Sequence, residues 1–335
     1  MSYPDFRLSL VVPVYNEEES IDAFINAIDN ELAPLKDQLE IVFVNDGSRD
    51  RTREVVEQAI ARDPRVTLVN LARNFGKEAA LTAGLHQAKG DAVVPMDVDL
   101  QDPPALILEF VKLWQTGDYD TVYGIRVDRS ADTPMKRVTA GGFYRFFNAL
   151  STSTKLPENA GDFRLIDRKV VEAIKQLPER NRFMKGLFAW AGFRAVGVPY
   201  ERPARHAGET KFNYWKLWNF ALDGLLSFSS WPLRVWSYVG VSVSLVAFLY
   251  ILKIITQVLF FGIDVPGYAS LMSVVLFLGG IQLLSLGIIG EYIGRMFVEV
   301  KQRPVYLIEG VYGQYAKEAG NKQDDEQQEQ QEQAS

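Results

Sequence analysis

The chain of 335 residues has no cysteine. A disulfide framework and a thiolate metal site are therefore both excluded. It also lacks a basic excess. The net charge is −6, and from Glu318 onward six acids (Glu318, Asp324, Asp325, Glu326, Glu329, Glu332) against one Lys (Lys322) contribute −5 of it. The body is thus near −1 and has no electrostatic footprint for nucleic acid, so no nucleic-acid partner is expected. There is neither a Gly-x-Gly-x-x-Gly nor a Gly-Lys-Ser/Thr stretch. That argues against a dinucleotide oxidoreductase and a P-loop ATPase. No internal repeat is present. The apolar run 8–14 is too short for a signal peptide and ends in Pro13-Val14-Tyr15-Asn16.

Long apolar runs, by contrast, are present. Residues 235–261 carry one charge, Lys253, and residues 271–293 none until Glu291. Each exceeds the roughly 20 residues needed to cross a bilayer core. Two transmembrane helices are expected, at about 235–261 and 271–294. Arg234 precedes the pair, and Arg295, Lys301 and Arg303 follow it, while the loop between has one acid and no base. The positive-inside rule then puts both termini in the cytoplasm, as a multi-pass protein of the inner membrane.

Before these runs, strand and helix patterns alternate. Residues 8–14, 41–45, 66–71, 91–96 and 121–125 read as buried strands. Helices are expected from Glu17-Glu18-Glu19-Ser20 onward and over 51–62 (capped by Asp50), 76–89 and 103–116. Such alternation predicts an α/β fold with a doubly wound, mostly parallel sheet. Residues 134–150 and 213–230 place aromatic and aliphatic residues at helical spacing beside Lys136, Arg137 and Arg145, or beside Trp215 and Trp218. They predict amphipathic helices lying in the headgroup layer. The domain plan is a cytosolic catalytic unit over 1–230, two spans over 231–297, and a cytosolic segment over 298–335. Within the last, 298–308 forms a further strand or a return along the membrane. The tail from Asn321, rich in Gln and acids, cannot build a core and is expected to be disordered.

The chemistry collects at strand ends, where open α/β sheets bind ligands. Asp97-Val98-Asp99-Leu100-Gln101 ends the fourth strand. In extended backbone, residues two apart share a side, so Asp97, Asp99 and Gln101 can converge. Three oxygen donors suit a hard divalent cation that keeps water and phosphate oxygens as its other ligands. A solvated acidic loop is the plainer alternative. Pro13-Val14-Tyr15-Asn16-Glu17 offers a ring for a base to stack on and an acceptor; a turn with a helix cap would look the same. Asn45-Asp46-Gly47-Ser48 offers a carboxylate beside a glycine that lets backbone approach, or a plain Asp-Gly turn. Arg73-Asn74-Phe75-Gly76-Lys77 puts cations before a helix N-terminus, a place suited to anions. Together these predict a metal–diphosphate site beside a base-binding wall. Further on, Arg126, Arg137, Arg202, Arg205 and Lys211 are phosphate ligands beside a bilayer, with anionic headgroups as the other ligand that chemistry allows.

Several motifs now combine. They are Val11-Val12-Pro13-Val14-Tyr15-Asn16-Glu17-Glu18, Asn45-Asp46-Gly47-Ser48, Asp97-Val98-Asp99-Leu100-Gln101, Gly161-Asp162-Phe163-Arg164 and the loop 202–211. In them the chain resembles the inverting GT-A glycosyltransferases of family 2, and within these the polyprenyl-phosphate glycosyltransferases. Arg73 to Glu78, Phe183-Met184-Lys185-Gly186, Thr210-Lys211-Phe212-Asn213 and Gly290-Glu291-Tyr292-Ile293-Gly294-Arg295 resemble most the bactoprenol glucosyltransferases of O-antigen glucosylation (serotype conversion) systems. The resemblance covers about 8–307. It implies transfer of glucose from UDP-glucose to undecaprenyl phosphate, with inversion, at the cytoplasmic face. It implies a nucleotide-sugar site of Pro13, Tyr15, Asn16, Glu17, Asp46, Gly47, Ser48, Lys77, Asp97, Val98 and Asp99. It implies Mg²⁺ or Mn²⁺ on Asp97, Asp99 and Gln101. Asp162 matches the usual general base and, with Asp99, is the expected catalytic carboxylate. Arg126, Arg137, Arg202, Arg205 and Lys211 would hold the acceptor phosphate.

Val98 stands where the family often has Ala, and the Gln-x-x-Arg-Trp of processive synthases is absent. The hexose is not fixed by these motifs: mannose, N-acetylhexosamine and aminoarabinose donors fit the same site. An inactive membrane-anchored regulator is the reading from another class, opposed by the intact carboxylates. Gly279-Gly280, Gly287, Gly290 and Gly294 give small-x-x-x-small spacing, which allows close helix contact between copies or between the two spans of one chain.

Overall fold

The structure is a computed structural model that describes residues 6–127, 160–201, 231–261 and 267–313. Four parallel strands form the centre of its sheet. Leu8–Val14 (β1) lies between Leu39–Asn45 (β2) and Ala92–Pro95 (β4), and Val66–Leu71 (β3) lies beyond β2. These strands are mostly apolar because both faces of the sheet are covered, with Ser9, Glu40, Asn45, Thr67 and Asn70 as buried polar positions. On one face Leu8, Leu10 and Val12 pack with Phe24 of α1 (Ile21–Glu31), Val56 of α2 (Thr52–Arg62) and Phe110 of α4 (Leu106–Trp114). On the other, Val11, Val42 and Val44 pack with Ala80 and Ala83 of α3 (Lys77–Gln87). Each large apolar side chain so buried contributes about 1.5–3 kcal/mol. The N-cap position of α2 is Arg51, which makes no side-chain cap bond, rather than the expected Asp50; Asp50, one residue earlier, accepts from the Thr52 amide at 3.1 Å.

The second half turns the sheet mixed. Thr121–Arg126 (β5) is followed by Ala160–Asp167 (β6), α5 (Arg168–Lys175), α6 (Met184–Trp190) and Ala195–Tyr200 (β7). The order across the sheet is β7-β5-β6-β4-β1-β2-β3, ending in one more strand, Ile308–Tyr312 (β8). β6 runs antiparallel to β4 and β5, and β8 antiparallel to β3. The sheet is therefore parallel at its centre and antiparallel at three joins, β4–β6, β5–β6 and β3–β8.

Two long helices come next among the described residues: α7, Trp231–Phe261, and α8, Tyr268–Lys301. Among the described residues, one stretch, Phe277–Lys301, is long and apolar enough to cross a membrane by length and composition; two were expected. A Cβ added at Gly279, Gly280, Gly287, Gly290 or Gly294 meets nothing within 4 Å. Those glycines therefore make no close helix contact within the described chain. α8 continues to Lys301, past the expected start of the last segment, and the strand begins only at Ile308. β8 does not return along a membrane but closes the β3 edge, helped by the Ala72 amide donating to Leu307 O at 2.9 Å. The expected surface helices at 134–150 and 213–230, the loop 202–211 and the tail from Asn321 lie outside the described residues.

Gly84 seats α3 on the sheet. A Cβ there would lie 2.2 Å from Val11 Cγ1 and 3.0 Å from Val44 Cγ2. Gly84→Val should overpack this contact by about 1–3 kcal/mol. The expected result is a lower thermal-unfolding midpoint of the detergent-solubilised protein; an unchanged midpoint would show that α3 has room to move.

Candidate active site

From β1 the chain moves outward through β2 to β3, then returns to the opposite side of β1 for β4. Strand order reverses there, and the carboxyl ends of β1 and β4 flank the crevice where such sheets bind ligands. A cleft at this point is lined by Pro13, Lys77, Pro95, Asp97, Asp102 and Asp162, among others. Asp162 comes from β6. Ala92 pairs with Asp167 and Val93 with Ile166, and that antiparallel register, continued, carries Asp162 opposite Asp97.

The loops after β1 and β2 are stitched together. The Asn16 amide donates to Ser48 Oγ at 3.0 Å, and the Arg49 amide to Asn16 Oδ1 at 2.8 Å. The Glu17 amide donates to Thr52 Oγ1 at 2.9 Å, while its carboxylate accepts from Ser20 Oγ at 2.9 Å. Asn16 reaches this geometry at φ 54°, in the left-handed region that Asn tolerates. Gly47, at φ +66°, is obligatory on a second count: a Cβ there would lie 2.5 Å from the Arg73 carbonyl carbon and from the Asn74 nitrogen. Tyr15 and Pro13 stay partly exposed at the rim of this scaffold.

Asp46 departs from expectation. It is buried, and its two oxygens accept from the amides of Phe75 at 2.7 Å and Gly76 at 2.9 Å. Desolvation raises its pKa, opposed by those two bonds. The helix N-terminus expected to attract an external anion is thus served by the chain's own carboxylate. Arg73 stacks over the Phe75 ring at 4.7 Å. Val98 turns into the apolar core, leaving only its backbone for any ligand contact.

The centre of the cleft is a charge cluster. Lys77 Nζ lies 2.5 Å from Asp97 Oδ1 and 3.6 Å from Asp162 Oδ2. Partial desolvation opposes the lysine charge, but Asp97 and Asp162 outweigh it and raise its pKa. Desolvation would also raise Asp162; Lys185, Lys77, Arg164 and Arg126 overcome it and hold the acid down to about 2. Its Oδ1 is buried and has no hydrogen-bond partner among the described residues. Glu78, next to Lys77, goes the other way. Desolvation and the Asp162 charge push it up to about 7, although the Met184 amide donates to its Oε2 at 3.0 Å. Tyr200 donates its hydroxyl to the buried Asp102 at 2.5 Å and accepts from Arg126 Nε at 3.2 Å. Desolvation and Asp102 push that hydroxyl up to about 12.

Asp102, Tyr200, Glu78 and Lys185 carry weight that the sequence did not assign to them. Asp102 directly follows the Asp97–Gln101 stretch, which was the only local signal. Of the expected acceptor cations, Arg126 stands at the cleft, its Nη2 3.9 Å from Asp102 Oδ1. Arg137, Arg202, Arg205 and Lys211 lie outside the described residues.

The expected way for Asp97, Asp99 and Gln101 to converge also needs correction. Leu100 is left-handed at φ 54°, and Asp99 Oδ1 accepts from the Gln101 amide at 3.1 Å. The stretch is a turn, so strand alternation does not aim the three side chains. No set of three or more His, Asp or Glu side chains able to hold a metal forms among the described residues. The donor chemistry still fits a hard cation as a partial set: carboxylates of Asp97 and Asp99, with the remaining ligands from a substrate diphosphate and water. The ammonium drawn onto Asp97 shows that this carboxylate seeks positive charge.

Residues 9–175 match the model of Glycosyl transferase family 2, and residues 231–296 match the GtrB C-terminal hairpin. An uncharacterized glycosyltransferase of Synechocystis is 53% identical over 92% of this chain and 96% of its own length. A prophage-derived bactoprenol glucosyl transferase of Shigella flexneri is 52% identical over 90% of this chain and 97% of its own length. Among solved structures, glucosyl-3-phosphoglycerate synthase from Mycobacterium tuberculosis, in complex with Mn²⁺, UDP-glucose and phosphoglyceric acid, is 22% identical. It covers 66% of this chain and 79% of that one, with a TM-score of 0.41. On its identity to relatives matched nearly end to end, the chain belongs to glycosyl transferase family 2, in the group that carries the GtrB C-terminal hairpin.

Proposed function

We propose that the protein transfers glucose from UDP-glucose to undecaprenyl (polyprenyl) phosphate, with inversion, at the cytoplasmic face of the inner membrane. The observation that carries this is the cluster of Asp97, Lys77 and Asp162 at the switch point, in a chain about half identical to bactoprenol glucosyl transferases. The stitched loops of Tyr15 to Glu17 and Asp46 to Ser48 suit the nucleotide. Asp97 and Asp99, with Gln101 following, would hold Mg²⁺ or Mn²⁺, which would neutralise charge gathering on the diphosphate as its bond to the sugar breaks. Helices α7 and α8 would form the membrane hairpin, with both termini cytoplasmic.

The chain's own groups divide the work. An acceptor phosphate oxygen attacks the anomeric carbon from the face opposite the diphosphate, the bond to the diphosphate breaks, and UDP leaves. Arg126, held by Tyr200 and Asp102, would receive the acceptor phosphate. A phosphate monoester has a second pKa of about 6 and is already largely ionised at neutral pH. A nucleophile in that state needs little base catalysis. Asp162, held down to about 2, is in any case a weak base. Its part is to orient Lys77 and the surrounding cations.

UDP release in the presence of undecaprenyl phosphate tests the whole reading. Lipid-dependent, EDTA-sensitive turnover of UDP-glucose is expected. Turnover of another UDP- or GDP-sugar instead would replace the sugar, and nucleotide binding without any turnover would favour the regulator. Asp162→Asn should keep measurable turnover at high pH, whereas Asp99→Ala should not. An equal, pH-independent loss in both would overturn the orienting role.

Glu78 gives a stability test. Its folded pKa of about 7 lies above its ordinary 4.5, so its contribution is present below about 4.5 and is lost as pH rises through about 7. Glu78→Gln keeps an acceptor for Met184 and cannot ionise. It should raise the thermal midpoint at pH 8 and change it little at pH 5; the same shift at both values would rule out titration of Glu78.

A further inference from the structure

We propose that Glu309, on β8, is a positioning residue for the donor loop, acting through a directed chain of amide hydrogen bonds that ends at Ser48. The proposal rests on the reading that the loop 45–48 holds the nucleotide. Glu309 Oε2 accepts from Asn70 Nδ2 at 2.6 Å. Asn70 Oδ1 accepts from Asn45 Nδ2 at 2.6 Å. Asn45 Oδ1 accepts from the Ser48 amide at 3.1 Å, and Ser48 Oγ accepts from the Asn16 amide at 3.0 Å. Asn45 and Asn70 are buried, so neither can turn to water for a replacement partner.

The direction of the chain follows from chemistry. An ionised carboxylate only accepts, a backbone N–H only donates, and an Asn amide does each at opposite ends. With Glu309 at one end and the Ser48 N–H at the other, only one orientation of both amides satisfies every group. A carboxylate on the strand after the two long helices thereby sets which end of Asn45 faces the loop. In low-dielectric surroundings such bonds also polarise one another. Glu309 has a second partner, Arg53 Nη1 at 3.4 Å, on its more exposed side.

The test compares four variants. Glu309→Lys can only donate; it takes the acceptor from Asn70 Nδ2, so the chain of amides loses the end that fixes its direction. Glu309→Gln still offers an acceptor. Glu309→Ala removes the polarising end and serves should the lysine variant fail to fold. Arg53→Ala removes the ion pair and leaves the chain of amides intact. For Glu309→Lys we expect the KM for UDP-glucose to rise about tenfold, the equal of one net hydrogen bond. Both kcat and the KM for the lipid phosphate should stay unchanged. Glu309→Ala should shift the donor KM the same way by less, and Glu309→Gln and Arg53→Ala should match the wild type. Hydrogen exchange at the Ser48 amide should speed up in the lysine and alanine variants only. If the wild type binds no UDP yet Ser48 follows this pattern, the relay stands and the donor reading falls. Unchanged Ser48 exchange in Glu309→Lys, or a glutamine variant as impaired as the lysine one, overturns the relay.

Discussion

One ammonium group between two carboxylates organises the cleft. Asp97 lies just beyond the end of the parallel strand β4, and Asp162 near the start of the antiparallel β6. Without Lys77 they would set two negative charges in the partly desolvated crevice at the centre of the sheet. At an effective dielectric near 20, unit charges about 4 Å apart interact by roughly 4 kcal/mol. Removing that ammonium would take from Asp97 its partner at 2.5 Å and work against the β4–β6 pairing that brings the two acids together. Much else follows from holding Lys77 in place. Asp46 grips the amides of Phe75 and Gly76 and so fixes where α3 begins, which puts Lys77 at the mouth of the cleft. Gly84 then lets α3 lie close enough to the sheet to keep it there.

The same arrangement explains why neighbouring acids behave oppositely. Asp162 has Lys77, Lys185, Arg164 and Arg126 around it and remains charged far into acid. For Glu78, desolvation by burial and the like charge of Asp162 outweigh the Met184 amide, Lys77 and Lys185, and push its pKa up to about 7. Two carboxyl groups in one cluster thus take different protonation states. A polyanionic substrate would meet a cleft whose acids Asp97, Asp102 and Asp162 already face the cations Lys77 and Arg126.

The central strands could be read from sequence because burial on both faces leaves apolar runs, Leu10 to Val14 in β1 and Ile41 to Val44 in β2. β6 and β7 could not. β6 alternates Asp162 and Arg164 with buried Phe163 and Leu165, and its Gly161-Asp162 start reads as loop. Missing β6 hid the main fact of the site, since only its antiparallel register brings Asp162 beside Asp97. Asp46 was legible as a site carboxylate but its bonds to the Phe75 and Gly76 amides were not, because an aspartate after a buried strand looks the same whether it awaits a ligand or its own backbone amides. The turn at Leu100 was equally hidden, as a leucine gives no local warning of positive φ. The Lys77 position was legible from its place before a helix; its pairing with two acids was not.

The antiparallel join of β8 to β3 has a consequence for how the molecule is made. Its polar tie, Asn70 to Glu309, spans 239 residues of sequence. Contacts so distant in the chain are slow to form, because a large loop must close before they contribute. During synthesis β3 emerges early and waits with one edge unpaired until both long helices have been made. An open edge is a template for wrong partners. Maturation of the sheet is therefore timed by the arrival of the final strand, and a nascent chain stalled before residue 308 would be the form most exposed to aggregation and to quality-control proteases.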